Sequence, residues 1–412
     1  MKTFNDPARV KRLPLDLLAA AERLREAARG RGADLVDFSS GQPDGPAPAK
    51  VVEALRSAAA DPKYLRHMED RGIPELREAI AGWFRRRHRV EIDPEREVVI
   101  TAGMKEGIGH AMVALLQDGD PVLTPTPSWP TYAFAAVLAS GESIAVEVGP
   151  GIDFMDSLVA ATEKAERRPR GIVVNFPANP SAAVASSELL QKVVRFAEAR
   201  DLFVVSDLAY GDLFLGEEAP PSMLSVPGAR ERTIEFVSLT VSYNMVGYRI
   251  GFAAGNHALV SALTRVKSYL GGRSFGASQV AAKVALTECD DFPAVLREKY
   301  RRRRDVFVQH FAAAGWHFAP PAATMFAWAA IPDPLRHLGS IEFTRRLIEG
   351  AGVFVSPGVL FGSSGEGHVR LSLSVEEDRI RLAGERIAAF LARVAAEPRP
   401  SHAPAQRGGE RS

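Results

Sequence analysis

The stretch Ser238-Leu239-Thr240-Val241-Ser242-Tyr243-Asn244-Met245-Val246-Gly247-Tyr248-Arg249 follows directly on an apolar strand candidate at 234–238. A strand ending in a hydroxyl-bearing turn is how an open α/β sheet presents polar groups at its carboxyl edge. Ser238 and Thr240 supply hydroxyls and Arg249 a cation, a trio suited to a phosphate group. The plainer reading of the same residues is a helix N-cap and a surface arginine. Val241 stands in the middle of this polar turn. Its side chain forms no hydrogen bond and carries no proton.

Working outward, short β-branched runs occur at 98–100, 121–124, 144–148, 172–176 and 202–207 as well as 234–238. Runs apolar at nearly every position suit strands buried on both faces of a mostly parallel sheet. Helical patterns at 106–116, 187–199 and 259–266 lie between them. Strand and helix therefore alternate, which predicts α/β architecture. A later block carries a helix through 300–305, strands at 325–331 and 368–374, and a helix at 377–395. The predicted organisation is an N-terminal arm joined to a small domain (1–45), a large domain (46–290), a smaller α+β domain (291–395) and a disordered Pro-, Gly- and charge-rich tail (396–412). No internal repeat is present.

Three further segments place polar groups after predicted strands. Thr101-Ala102-Gly103-Met104-Lys105-Glu106-Gly107 opens a helix, where exposed N–H groups can hold an anion, although most such glycine turns are only turns. Asn175-Phe176-Pro177-Ala178-Asn179-Pro180 reads first as a proline-stiffened turn. Ser206-Asp207-Leu208-Ala209-Tyr210 ends an apolar strand on a carboxylate, and a buried charge requires a partner. That partner is either a neighbouring arginine or the protonated nitrogen of a bound ring.

Composition excludes several classes. The 412 residues are 46% hydrophobic, with 51 Lys and Arg against 50 Asp and Glu. Near-neutral charge gives no footprint for nucleic acid or an anionic membrane. The basic runs 85–89 and 301–304 read as solvated helix faces. The single cysteine, Cys289, excludes an internal disulfide and zinc-type spacings, so no metal is expected. No signal-peptide core and no run of about 18 apolar residues appears. A cytoplasmic protein is the expectation.

Taken together, these ordered segments resemble the fold-type I pyridoxal 5′-phosphate (PLP) enzymes of the class I/II aminotransferase group. The pattern is similar to the bacterial alanine transaminase branch, near the diaminopimelate aminotransferases. The resemblance runs from about 13 to 395 and includes Gly41-Gln42-Pro43-Asp44-Gly45-Pro46, Arg71-Gly72-Ile73-Pro74 and Gly367-His368-Val369-Arg370. It implies a large domain built on a mostly parallel seven-stranded sheet. It also implies roles. Asp207 would pair with the cofactor's pyridine nitrogen, Tyr210 and Asn179 would bond its phenolic oxygen, and Trp129 would stack on the ring. Ser238, Thr240 and Arg249 would bind the phosphate with the backbone N–H groups of Met104 and Lys105. Arg370, with Gly41 and Asn179 alongside, would clamp a substrate carboxylate.

By the same resemblance, Val241 occupies the position of the Schiff-base lysine, which both anchors PLP and moves the proton. Other positions depart too: His67 replaces a tyrosine that reaches the partner subunit's phosphate, Met104 a serine, and Gly272 a tyrosine. The ring and carboxylate clamps are retained. The leading expectation is an enzyme acting on an amino acid or keto acid, binding PLP or pyridoxamine 5′-phosphate (PMP) noncovalently. His67 or Tyr210 would then supply the missing base. The alternatives are a PLP-independent enzyme reusing the pocket with no cofactor, an inactive homologue pairing with an active paralogue, and an ordinary aminotransferase carrying a lesion at Val241. A homodimer is implied.

Overall fold

The computed structural model describes residues 5–13, 22–26, 34–271 and 273–396. Gly272 and the expected tail at 397–412 lie outside the described residues, as does part of the N-terminal arm. The strands, in chain order, are β1 (Val36–Asp37), β2 (Val98–Thr101), β3 (Pro121–Thr126), β4 (Glu142–Glu147), β5 (Gly171–Asn175), β6 (Phe203–Asp207), β7 (Thr233–Ser238) and β8 (Gly251–Gly255). They continue with β9 (Phe326–Ala330), β10 (Val353–Phe354), β11 (Ser356–Pro357) and β12 (His368–Ser372).

Seven strands form one sheet in the order β2-β8-β7-β6-β5-β3-β4. Strand β8 alone runs opposite to the other six. Strands β2, β5 and β7 are buried at every position, so their sequences are mostly apolar rather than alternating, with Glu235 in β7 the exception. The expected strands and helices are all present, with ends shifted by a few residues. The helix expected at 106–116 is Met104–Leu115, and the one expected at 259–266 is His257–Leu270. Strand β8 was not anticipated. Its sequence, Gly251-Phe252-Ala253-Ala254-Gly255, lacks β-branched residues.

The register of β8 positions the site. Gly251 pairs with Ser238 on one side and Thr101 on the other. Because β8 is antiparallel, the residues that enter it lie at the carboxyl edge of β2 and β7. Arg249 is thereby delivered to the turn after β2 and the turn after β7 together.

The C-terminal block carries an antiparallel sheet, β11-β12-β9. Near the N-terminus, β1 pairs in parallel with β10, Val36 opposite Val353. Helix Phe292–Ala313 packs on helix Glu377–Ala396 and buries Phe307 and Phe311 against Phe38. The basic runs differ from expectation in part. Arg303 is buried and bridges Asp44 and Glu376, and Arg87 pairs with Asp290. These side chains tie elements together because each finds a carboxylate to offset its desolvation.

Candidate active site

Five loops at the carboxyl edge of the sheet meet segments of the C-terminal block around a cavity of about 850 Å³. Its floor is Asp207, the last residue of β6, which is 2% exposed. Oδ2 accepts from the Tyr132 hydroxyl at 2.6 Å and Oδ1 from the Ala209 N–H at 2.8 Å. Among the described residues no cationic side chain pairs with it. Burial pushes its carboxyl up to about 6, with the two hydrogen bonds opposing that rise. Burial also pushes Tyr210 and Tyr132 upward, so both phenols stay protonated at neutral pH.

Opposite, Arg370 rises from the middle of β12 and is 7% exposed. Nη1 donates to Asn179 Oδ1 at 3.1 Å and Nη2 to the Ser39 carbonyl at 3.2 Å. The guanidinium carbon lies 4.1 Å from the Phe326 ring centre and 4.7 Å from that of Phe361. No carboxylate among the described residues pairs with it, and burial lowers it to about 10. Gly41 sits beside the fork: a Cβ there would stand 3.7 Å from Nη2. Asn179 is itself fixed by its N–H to Asn175 Oδ1, 2.9 Å.

The third wall is the turn that opened the sequence reading. Ser238 ends β7 and its hydroxyl accepts from the Thr240 N–H at 3.3 Å. Arg249 adopts a left-handed φ of 50° and donates from Nη2 to the Ala102 carbonyl at 3.3 Å. Gly103, at φ +89°, makes this approach possible, since a Cβ would come within 2.9 Å of the same Nη2. The turn thus leaves the first N–H groups of helix Met104–Leu115 facing a cation and two hydroxyls, an arrangement that attracts an anion. Val241 is 6% exposed and lines this cavity with Ser238, Thr240 and Arg249.

The matching family model, aminotransferase class I and II, covers residues 33–387. The chain belongs to the class I and II aminotransferases. It is 44% identical over 375 residues to the glutamate-pyruvate aminotransferase AlaC of Escherichia coli (strain K12), covering 91% of each chain. It is 37% identical over 391 residues to an LL-diaminopimelate aminotransferase of Moorella thermoacetica (strain ATCC 39073 / JCM 9320), covering 95% of this chain and all of that one (100%). A solved structure of a single mutant of Thermus thermophilus aspartate aminotransferase superposes with a TM-score of 0.86 at 32% identity, covering 94% of this chain and 100% of that chain. Aminotransferase-family membership implies PLP or PMP as cofactor.

Every site residue expected from the sequence lines this cavity except His67. Gly41, Met104, Lys105, Trp129, Asn179, Asp207, Tyr210, Ser238, Thr240, Val241, Arg249 and Arg370 are brought together; His67 is exposed on the loop after the short helix Pro62–Tyr64. Tyr132 was missed. It lies three residues after Trp129, which precedes helix Thr131–Leu138, and both rings line the cavity. The rings meet edge to face, with centres 6.0 Å apart. Arg25 and Glu22, also on the cavity wall, carried no signal in the sequence. Among the described residues, no helix is long and apolar enough to cross a membrane and no group of three or more His, Cys, Asp or Glu could hold a metal.

Proposed function

We propose that this chain is an aminotransferase-family enzyme that binds PLP or PMP noncovalently and acts on an amino acid or keto acid. Standard transamination is impaired because Val241 takes the place of the Schiff-base lysine. The carrying observation is Asp207, a buried carboxylate on the cavity floor with two neutral donors and, among the described residues, no cation. Burying such a charge is costly unless a cation completes it. A protonated pyridine nitrogen is a partner of the right sign in the right cavity. The bound cofactor would supply an electron sink that weakens the bonds at the substrate's Cα.

The chain's own residues have separable tasks. Asp207 holds the ring nitrogen protonated. Asn179 and Tyr210 bond the phenolic oxygen, and Trp129 covers the ring face. Ser238, Thr240, Arg249 and the N–H groups of Met104 and Lys105 hold the phosphate. Arg370 and Gly41 bind the substrate carboxylate, the fork geometry suiting two parallel hydrogen bonds. Val241 moves no proton. Tyr210 is the cavity hydroxyl nearest to that duty by type, but burial keeps it protonated, which makes it a weak base at neutral pH. Losing an effective general base typically costs about 10²–10⁴-fold in rate. A homodimer is part of this reading, with the exposed His67 loop directed at the second copy.

Calorimetric titration of the purified chain with PLP and with PMP tests the reading. Saturable binding of either, with no mass increase after borohydride treatment of the PLP sample, is expected. A lysine-linked adduct removes the noncovalent claim, and absence of binding by both cofactors removes the functional reading.

A further inference from the structure

Ala102 is held from both sides. Its carbonyl accepts from Arg249 Nη2 at 3.3 Å, and its N–H donates to Glu106 Oε2 at 3.0 Å. Glu106 lies in the first turn of helix Met104–Leu115, whose N-cap is Gly103. A glutamate at this place in a helix ordinarily reaches back to the N–H of the N-cap. Here it reaches one residue further, to the residue that Arg249 holds. Its other oxygen faces a separate group. Oε1 lies 3.1 Å from His110 Nδ1, one turn further along the helix, and 3.8 Å from Lys267 Nζ. Lys267 belongs to helix His257–Leu270 and is 2% exposed. Burial works against its charge, while Glu106 and Asp70 favour it. Asp70 is itself held by Arg273 at 2.8 Å. The chain leaves that helix at Gly271. A Cβ there would stand 2.6 Å from His110 Cε1 and 2.9 Å from Glu106 Oε1, so a side chain would displace the pair.

A carboxylate in this place should oppose the site's task. Glu106 stands at the helix N-terminus that also faces the cavity with Arg249, and a second anion there is repelled by the first. Oε2 and Arg249 Nη2 are joined through one residue, which puts them within about 10 Å of each other. At that range, in a partly buried site, a unit charge changes the affinity for an anion by about three- to tenfold. A buried ammonium on Oε1 cancels most of that effect.

We infer that Glu106 is a positioning residue for the phosphate site, fixing the residue on which Arg249 docks, and that Lys267 neutralises it so that the site stays attractive to an anion. The inference rests on the reading of Arg249, Ser238, Thr240 and the helix N-terminus as that site. Glu106 acts on the phosphate through Ala102 and Arg249. Its two oxygens divide the work: one holds the turn, and the other gives its charge to Lys267.

The test compares PMP with pyridoxamine, which differ only in the phosphate, by calorimetry on the full chain. The ratio of their dissociation constants reads the phosphate site and leaves the ring contacts out. Glu106→Gln keeps an oxygen for the Ala102 N–H and removes the charge, so the preference for PMP should rise about three- to tenfold. Lys267→Met leaves the carboxylate uncompensated, and the preference should fall by about the same factor. Glu106→Ala has the charge of Glu106→Gln but no acceptor, so its preference should lie several-fold below that of Glu106→Gln. Opposite signs for Glu106→Gln and Lys267→Met are what a packing role does not produce. A fall in both, or no change in either, overturns the inference, and equal ratios for Glu106→Gln and Glu106→Ala overturn the positioning role. Should one of the two charge variants fail to fold, the other decides alone, an unchanged ratio overturning the inference. Arg249→Gln separates the two readings. If it lowers the preference while the Glu106 and Lys267 variants do not move it, the phosphate site stands and the inference falls. If wild-type protein shows no preference for PMP, both fall.

Discussion

Asp207 and Arg370 face one cavity from opposite sides, both more than nine-tenths buried, and neither is paired with an oppositely charged side chain among the described residues. Each is held by neutral partners instead. A buried lone anion and a buried lone cation are both unfavourable for the empty protein. Together they describe what the cavity is built to receive: a cationic group at the floor and an anionic group at the wall.

That cost predicts a trade between stability and binding. Arg370→Met replaces the charged fork by an apolar chain of similar length between Phe326 and Phe361. The ligand-free variant should be more stable than wild type by about 1–2 kcal/mol in urea unfolding, the sign seen when unpaired buried charge is removed. Its affinity for keto acids should fall at least tenfold, because hydrogen bonds to charged groups contribute about 1.5–3 kcal/mol. A variant that is less stable yet still binds keto acid would refute both halves.

Tyr132→Phe tests the floor. The hydroxyl donates to Asp207 at 2.6 Å, and no other side chain among the described residues does. Without it, burial acts on Asp207 less opposed, and the carboxyl should rise above its present value of about 6. PMP binding should then weaken about tenfold at pH 7 and recover as the pH is raised, since the ionised carboxylate is the binding form. A loss that is independent of pH would mark Tyr132 as a packing residue only.

Val241→Lys places an amine in the turn after β7, between Ser238 and Arg249. We expect a borohydride-stable mass adduct with PLP in this variant and none in the wild type. We expect only weak transamination, because Met104 offers the phosphate no hydroxyl from its side chain. Full activity would show that the phosphate turn had been intact throughout and that Val241 alone silenced the chemistry.

Much of this was legible in the chain. Six of the seven sheet strands announce themselves as apolar runs, and the residues that follow five of them meet at the cavity. What escaped was set by contacts distant in sequence. Strand β8 forms because β2 and β7 flank Gly251, not because glycine and alanine favour strands. Tyr132 finds Asp207 across 75 residues, and Arg25 finds Ser39 across 14. Only the nearness of Tyr132 to Trp129 in sequence hinted at a shared cavity. Glu235 was a missed signal of another kind, a carboxylate inside a strand that is otherwise apolar and buried at every position.

Glu235 yields the pH dependence of stability. It is completely buried and its carboxylate accepts from Ser206 Oγ at 2.9 Å, from the Met223 N–H at 2.8 Å and from the Ser222 hydroxyl. Burial raises it to about 7 from an ordinary 4.5, the hydrogen bonds opposing. Between those two values the unfolded chain has released its proton while the folded protein keeps it. The folded state therefore binds more protons, and stability falls as pH rises through this window. The full effect is on the order of 3 kcal/mol. Asp207 contributes with the same sign, but only between 3.8 and about 6. His88, held by burial at about 4 against an ordinary 6.5, contributes with the opposite sign up to 6.5, so the interval from about 6.5 to 7 belongs to Glu235. Glu235→Gln keeps an oxygen for the Met223 N–H and turns an amide toward the serines, which can accept. Its melting temperature should change little from pH 6.5 to 7.5, where that of the ligand-free wild type declines. Parallel profiles for the two proteins would mean that the serine and backbone hydrogen bonds hold Glu235 ionised against its burial.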